Sequence, residues 1–172
     1  MEFILNNTYG INKIDKIDLK KIINVFGNPD SREIIRESEW KNFGVNYIYK
    51  DIDLKIFYNV YYYVNKKGVE FQTLSFIVKK LYLSEELKIE NGDDIRKSLE
   101  KIRKYYKKNK KEFEFEYEDD EYSGSYDFAN LGITVYFEKI KGLKFIEDIY
   151  VDLPYEDDPI VLTLDEILYM EK

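Results

Sequence analysis

The segment YIYKDIDLKIFY at residues 47–58 decides the fold, because its apolar pattern returns in YDFANLGITVYF at residues 126–137. Each segment places alternating apolar residues on either side of a short polar stretch, as two strands joined by a turn do. The matching positions are Tyr47 with Tyr126, Tyr49 with Phe128, Ile52 with Leu131, Leu54 with Ile133, Ile56 with Val135 and Tyr58 with Phe137. Recurrence of this kind predicts an internal repeat.

The residues around each segment recur as well. Upstream of each segment lies the apolar stripe of a helix, and three of its four apolar positions recur in the second copy. Leu19, Ile22, Ile23 and Phe26 correspond to Ile95, Ser98, Leu99 and Ile102. Downstream lies a further strand pattern, in which Leu74, Phe76 and Val78 correspond to Ile149, Val151 and Leu153. Each segment is therefore predicted to sit inside a larger unit that begins with a helix.

These patterns predict an α+β fold made of two tandem copies of a helix followed by antiparallel strands, at about residues 11–83 and 89–153. No linker rich in Pro, Gly or Ser separates the copies, so residues 1–172 are predicted to form a single domain with one shared sheet. An acidic C-terminal segment, residues 154–172, follows. In it, Thr163 and Glu166 fit a capping box for a short C-terminal helix.

Local signals set the expected ends of several elements. Asp18 is a predicted N-cap for a helix through about Phe26, and Gly27 ends it. Ser84 is predicted to cap a short helical turn over residues 85–88. Residues 112–118 alternate Glu with an aromatic residue and predict a strand. Its aromatic face is expected to be more buried than its carboxylate face.

Composition narrows the chemistry. The 172-residue chain contains no Cys and no His, which excludes disulfides, thiolate metal sites, cysteine nucleophiles and histidine general bases. No Gly-rich phosphate loop or catalytic motif is present. The protein is therefore predicted to be non-enzymatic, with no metal and no cofactor. No apolar run approaches the roughly 20 residues of a membrane helix, and no signal peptide is recognisable, so a cytoplasmic location without membrane association is expected.

The first copy resembles a known repeat. Its helix ends in Gly27-Asn28-Pro29-Asp30, and Trp40 and the aromatic strand around Tyr47 follow. This arrangement is similar to the repeat of β-lactamase-inhibitor-like domains, in which a short helix precedes an antiparallel sheet. The resemblance implies a scaffold used mainly for protein binding. The chain also looks like the small acidic immunity proteins that neutralise bacterial polymorphic toxins.

Acidic charge is concentrated in the second half of the chain. Residues 1–90 contain 14 basic and 13 acidic residues, whereas residues 91–172 contain 13 and 21. Residues 112–121 hold seven carboxylates and no Lys or Arg. One interpretation is a solvated outer surface neutralised by the basic segment 96–111, and another is a docking surface for a cationic partner. Paired glycosidase carboxylates, calcium ligands, and nucleic-acid binding by residues 96–111 are weaker alternatives.

The sequence thus predicts a non-catalytic binding protein, most plausibly an immunity or inhibitor protein whose acidic face blocks a basic toxin such as a nuclease. No nucleic-acid partner is expected. The predicted partner-binding residues are Glu114, Glu116, Glu118, Asp119, Asp120, Tyr122 and Trp40. The alternative function is that of a structural or regulatory domain that self-associates, for instance as a homodimer.

Overall fold

A computed structural model describes residues 1–6, 9–36, 42–63, 68–153 and 161–162. It contains two α-helices in these ranges, α1 (Leu19–Phe26) and α2 (Ile95–Lys108). The strands are β1 (Ser31–Arg36), β2 (Asn42–Tyr49), β3 (Leu54–Tyr63), β4 (Gly68–Val78), β5 (Lys80–Ser84), β6 (Leu87–Glu90), β7 (Glu116–Asp119), β8 (Ser123–Phe128), β9 (Ile133–Ile140), β10 (Leu143–Asp152) and β11 (Val161–Leu162). Trp40 and the predicted C-terminal helix lie outside the described residues.

One antiparallel sheet organises these elements. Its strand order is β1-β2-β3-β4-β10-β9-β8-β7, and the short β11 also pairs with β4. Strands β5 and β6 form a separate two-stranded hairpin. The central contact is between β4 and β10, which are far apart in the chain.

The predicted fold class, an α+β fold of two tandem helix-then-strand copies, was wrong. The structure is mostly antiparallel sheet, and only two helices occur in the residues that it describes. The two quoted segments form the corners β2–β3 and β8–β9, each turned by one 3-10 turn that ends in a left-handed residue, Asp53 or Gly132. The similar apolar spacing of the two segments therefore reflects two similar strand corners and not two copies of a larger unit. The many aromatic and β-branched residues of the chain favour sheet over helix.

The two faces of the sheet differ in what covers them. The inner face carries a continuous apolar row in which Tyr49, Leu54, Val78, Ile149 and Val135 are direct neighbours on successive strands. All five are buried. Because side chains alternate along a strand, the intervening residues point to the opposite, outer face.

Both helices pack on the inner face. The ring of Phe26 in α1 lies 6.1 Å from the rings of Tyr49 and Phe76, and that of Tyr106 in α2 lies 6.3 Å from Phe128. The outer face has no such helical cover among the described residues. It is buried around Asn46 and Ser75, and exposed at Tyr136.

Helix ends follow the sequence signals closely. The Asp18 side chain accepts a hydrogen bond from the Lys21 backbone N–H, and Gly27 ends α1 with a left-handed φ of 79°. Asp94 caps α2 in the same way, through the backbone N–H of Arg96. The predicted helical turn over residues 85–88 was wrong, because β5 and β6 continue as a hairpin through this stretch.

The predicted strand at residues 112–118 is only partly formed. Strand β7 begins at Glu116, and residues 112–115 have no regular structure. Phe113 turns instead toward α2, where its ring lies 5.3 Å from that of Tyr106 and 5.1 Å from the guanidinium carbon of Arg103. Phe113 is half-buried beside exposed Glu114, which confirms the expected burial order there. The order is not established further on, since Phe115 and Tyr117 remain 44% and 42% exposed.

The structure also bears on membrane insertion: none of the described helices is both long enough and apolar enough to cross a membrane.

Gly124 is required for the pairing of β7 with β8. A Cβ at this position would lie 2.4 Å from the backbone oxygen of Glu118 and 2.5 Å from the Phe137 ring. We therefore expect Gly124→Ala to lower the free energy of unfolding by roughly 1–3 kcal/mol, measured by urea denaturation. Ser125→Ala, at the neighbouring half-buried position, is the control and should stay within about 0.5 kcal/mol of the wild type. Equal stability of both variants would show that β7 is not held by this close contact.

Candidate partner-binding surface

Strand alternation divides the predicted partner-binding residues between the two faces of the sheet. Glu116 pairs directly with Asp127, and Glu118 with Ser125, so both glutamates lie on the outer face. Tyr117 pairs with Tyr126 and points to the inner side, as Asp119 does two residues later. The predicted residues on β7 therefore lie on both faces of the sheet.

Asp119 is occupied by interactions within the protein. Its carboxylate forms ion pairs with Lys139 and with Lys144, the latter at 3.0 Å, and accepts a hydrogen bond from the Tyr117 hydroxyl. The Lys144 ammonium also lies 4.9 Å from the ring centroids of Tyr117 and Phe137. Hydrogen bonding from Lys139, followed by that from Tyr117, holds the pKa of Asp119 far below its ordinary value. Asp119 thus stabilises the end of β7, and its charge is already paired within the protein.

Asp120 has a similar local role in the turn between β7 and β8. Its carboxylate accepts hydrogen bonds from the backbone N–H groups of Tyr122 and Ser123, each at 2.7 Å, and from the Ser123 hydroxyl at 3.0 Å. The backbone hydrogen bond from Ser123 is the main cause of its lowered pKa. The turn leaves Tyr122 72% exposed, more than the other large apolar side chains described.

The outer face instead collects a different set of acidic residues. Six carboxylates come from the four adjacent strands β7 to β10, and we call them the acidic face: Glu116, Glu118, Asp127, Glu138, Asp148 and Asp152. Asp148 forms an ion pair of 2.6 Å with Lys79. Within the described part of the chain, the other five form no ion pair. Three of these five, Glu116, Glu118 and Glu138, are also exposed, so their charge is available to a cationic partner.

Two tyrosines stand at the centre of the acidic face. The rings of Tyr136 and Tyr150 meet edge to face, with centroids 4.7 Å apart, and Tyr136 is 40% exposed. Partial burial raises the pKa of Tyr136, and the charges of Asp152, Asp127 and Glu118 raise it further. Both phenols thus remain neutral hydrogen-bonding groups within a negative potential.

Asp152 closes the acidic face toward the middle of the sheet. Burial raises its pKa, although the Ser75 hydroxyl donates a hydrogen bond of 2.5 Å to its carboxylate and opposes that shift. A carboxylate at the margin of a buried patch costs free energy when ionised. A cation placed nearby would offset part of that cost.

Glu114 lies beside the acidic face, on the irregular stretch before β7. With Phe115, Glu116, Asp127 and Asn130 it lines a shallow recess of about 280 Å³. The Phe115 ring itself packs toward the inner face, 5.3 Å from the ring of Tyr126 and 5.8 Å from that of Phe128. The recess is therefore bordered mainly by the three acidic residues Glu114, Glu116 and Asp127.

The structure brings Glu114, Glu116 and Glu118 to one edge of the outer face and assigns Asp119 and Asp120 to internal contacts. Tyr122 lies at the turn beyond that edge, and Trp40 is outside the described residues. Sequence reasoning missed the members contributed by β8 to β10: Asp127, Tyr136, Glu138, Asp148, Tyr150 and Asp152. Their two-residue spacing within each strand was the signal that could have found them.

The described residues contain no group of three or more Asp or Glu side chains placed to hold a metal ion. The carboxylates of the acidic face are spread across neighbouring strands, so they suit several separate cationic groups better than one ion.

The role of Asp119 can be tested through pH. Its folded-state pKa is lower than its unfolded-state pKa of about 4, so its ionised form contributes stability above that value. The contribution is lost as pH falls through the folded-state pKa. Asp119→Asn should therefore lower the melting temperature at about pH 7, and its difference from the wild type should narrow progressively below about pH 4.

Glu118→Gln provides the matched control, because Glu118 is exposed and forms no ion pair among the described residues. Its melting temperature, followed by circular dichroism, should track that of the wild type across the same pH range. A constant difference between Asp119→Asn and the wild type down to about pH 2 would contradict a stabilising role for the ionised carboxylate.

Comparison with known proteins identifies no relative of this chain. No protein-family model, curated protein or solved structure matches it. The resemblance to β-lactamase-inhibitor-like repeats therefore stays a prediction.

Proposed function

We propose that this protein is a non-catalytic binding protein that holds a basic protein partner against its acidic face. The observation that carries the proposal is the set of five carboxylates without ion pairs among the described residues, arranged around the Tyr136–Tyr150 pair on one face of the sheet. Opposite charge attracts a basic partner, and the aromatic pair supplies the apolar contact that charge alone lacks.

The geometry favours a protein partner over a small ligand. The acidic face spans four strands, which at about 4.8 Å between neighbours gives a width of about 14 Å. Tyr136 lies within it and Tyr122 lies at the turn beyond its edge, both as exposed aromatic side chains. Aromatic side chains surrounded by polar ones are typical of the residues that dominate protein interfaces.

Within this class, we favour an immunity or inhibitor protein that blocks a basic toxin. A nuclease toxin presents cations where it binds phosphates, and a rigid row of carboxylates can occupy that site. Because β7 to β10 are hydrogen-bonded to one another, the backbone that carries the carboxylates is ordered before binding, which lowers the entropic cost of association. A cytoplasmic location fits this role and belongs to the same proposal.

Self-association is the second candidate. It is favoured by β1, which ends the sheet among the described strands and leaves Ile34 and Ile35 47% and 45% exposed. Edge strands with exposed apolar side chains pair readily with other chains. A concentration-dependent mass on a sizing column that Ile35→Lys abolishes would support this candidate.

Charge reversal tests the main proposal. The variant Glu116→Lys, Glu118→Lys and Glu138→Lys changes three exposed positions on the acidic face. The control is Glu85→Lys, Glu86→Lys and Glu100→Lys, which makes the same change of net charge at exposed positions on the β5–β6 hairpin and α2. Wild type, variant and control would each be used to capture partners from cells of the native host, with identification by mass spectrometry.

A partner that uses the acidic face should be captured by the wild type and the control but not by the variant. Its association rate, measured at low salt, should fall about tenfold or more in the variant, because steering by opposite charges acts mainly on association. Folding should change little, since exposed charges contribute little stability. Equal association rates for variant and wild type would mean that the acidic face is only a solvated surface.

A further inference from the structure

A second recess lies on the outer face, at the end of the sheet away from β7. It has a volume of about 390 Å³ and forms where β2, β3, β4 and β10 meet. Ile48, Lys55, Ile77 and Tyr150 occupy one row across these four strands and line it. Apolar surface is thus placed directly beside the half-buried Lys55 side chain.

The charge of this recess is opposite to that of the protein as a whole. Its lining includes Lys50, Lys55 and Lys79 but only Asp53 and Asp148, whereas the full chain has a net charge of -7. A local excess of cations attracts anions even where the protein as a whole is acidic.

Two of the three lysines have no acidic partner among the described residues. Lys79 is held by Asp148, at 2.6 Å, and by the backbone carbonyl of Glu147, at 3.1 Å. Lys50 and Lys55 form no ion pair in the part of the chain that the structure describes. Asp53, at the left-handed end of the 3-10 turn, is the remaining acidic group of the lining. The recess therefore has two available ammonium groups and one carboxylate beside them.

We propose that this recess binds a small organic carboxylate with an apolar body of about one aromatic ring. Its volume lies in the range of small-molecule sites, which combine mainly apolar walls with a few polar groups. Ile48, Ile77 and Tyr150 would contact the body of the ligand, and the ammonium groups of Lys50 and Lys55 would pair with its carboxylate. A monoanion matches the local charge better than a dianion, because Asp53 offsets part of the positive potential.

Phenylacetate is the probe that tests this site, and phenylacetamide is its uncharged counterpart of the same shape. In a titration followed by ¹H–¹⁵N NMR, phenylacetate should give saturable shifts at Ile48, Lys55, Ile77 and Tyr150. For a ligand of this size we expect a dissociation constant of about 1 mM. Phenylacetamide should bind roughly fivefold or more weakly, because it lacks the charge.

Lys55→Gln should weaken phenylacetate binding by roughly threefold to fivefold. Lys104→Gln, at an exposed position on α2, changes the net charge equally and should leave binding unchanged. The NMR spectrum itself shows whether each variant is folded. Shifts that do not saturate, equal binding of the two probes, or equal effects of the two lysine variants would overturn the proposal.

The outcome of the phenylacetate titration does not depend on the outcome of the partner experiment. The charge-reversed acidic-face variant should bind phenylacetate as the wild type does, since its substitutions lie on β7 and β9 outside the recess. A partner could exist without a carboxylate site, and the carboxylate site could exist without a basic partner.

Discussion

The rest of the structure depends on the burial of the inner face of the sheet against the two helices. Each fully buried Ile, Phe or Val in that face contributes on the order of 1.5–3 kcal/mol relative to exposure, so a shift of one residue in any strand would be severely unfavourable. Register is therefore fixed from β2 through to β8. The same constraint determines the outer face, because every residue between two buried ones must point there.

The acidic side chains of β7 are divided between the inner and outer faces because side chains alternate along the strand. Asp119 points inward and meets Lys139 and Lys144, whose side chains share the inner side with Phe137. Glu116 and Glu118 point outward, beside Asp127 and Ser125 on β8, and form no ion pair among the described residues. Carboxylates that lie close together in sequence thus become two groups with different roles. The inward group holds the edge strand, and the outward group contributes to the surface.

Local patterns in the sequence predicted the local structure well. The cap at Asp18, the end at Gly27 and the strand–turn–strand pattern at residues 47–58 all follow from short-range chemistry that is complete within a few residues. The strand prediction failed at residues 112–115, where Phe113 packs against Tyr106 and does not continue β7. A period-2 pattern in the sequence carries no information about such a tertiary contact.

The acidic face was only partly predictable for a related reason. Its edge, Glu116 and Glu118, was visible in the alternating Glu and aromatic residues of 112–118. Its centre depends on the pairing of β9 with β10 and of β10 with β4, which sets Tyr136 beside Tyr150 and Asp152 beside Ser75. Strand order of this kind is a long-range property. A list of charged residues along one chain cannot specify which of them become neighbours across a sheet.

The lysines of the recess and the β7 edge of the acidic face are electrostatically separate even though one sheet carries both. From Lys55 on β3 to Glu116 on β7 there are five strand steps, a distance of about 24 Å at 4.8 Å per step. This is roughly three Debye lengths at physiological salt, so the lysines of the recess barely weaken the potential at β7. Tyr150 and Asp148 belong to both surfaces, Tyr150 through its contact with Tyr136 and Asp148 through its ion pair with Lys79 of the recess. A ligand in the recess would therefore influence a partner near Tyr150 and Asp148 and not one at the β7 edge of the acidic face.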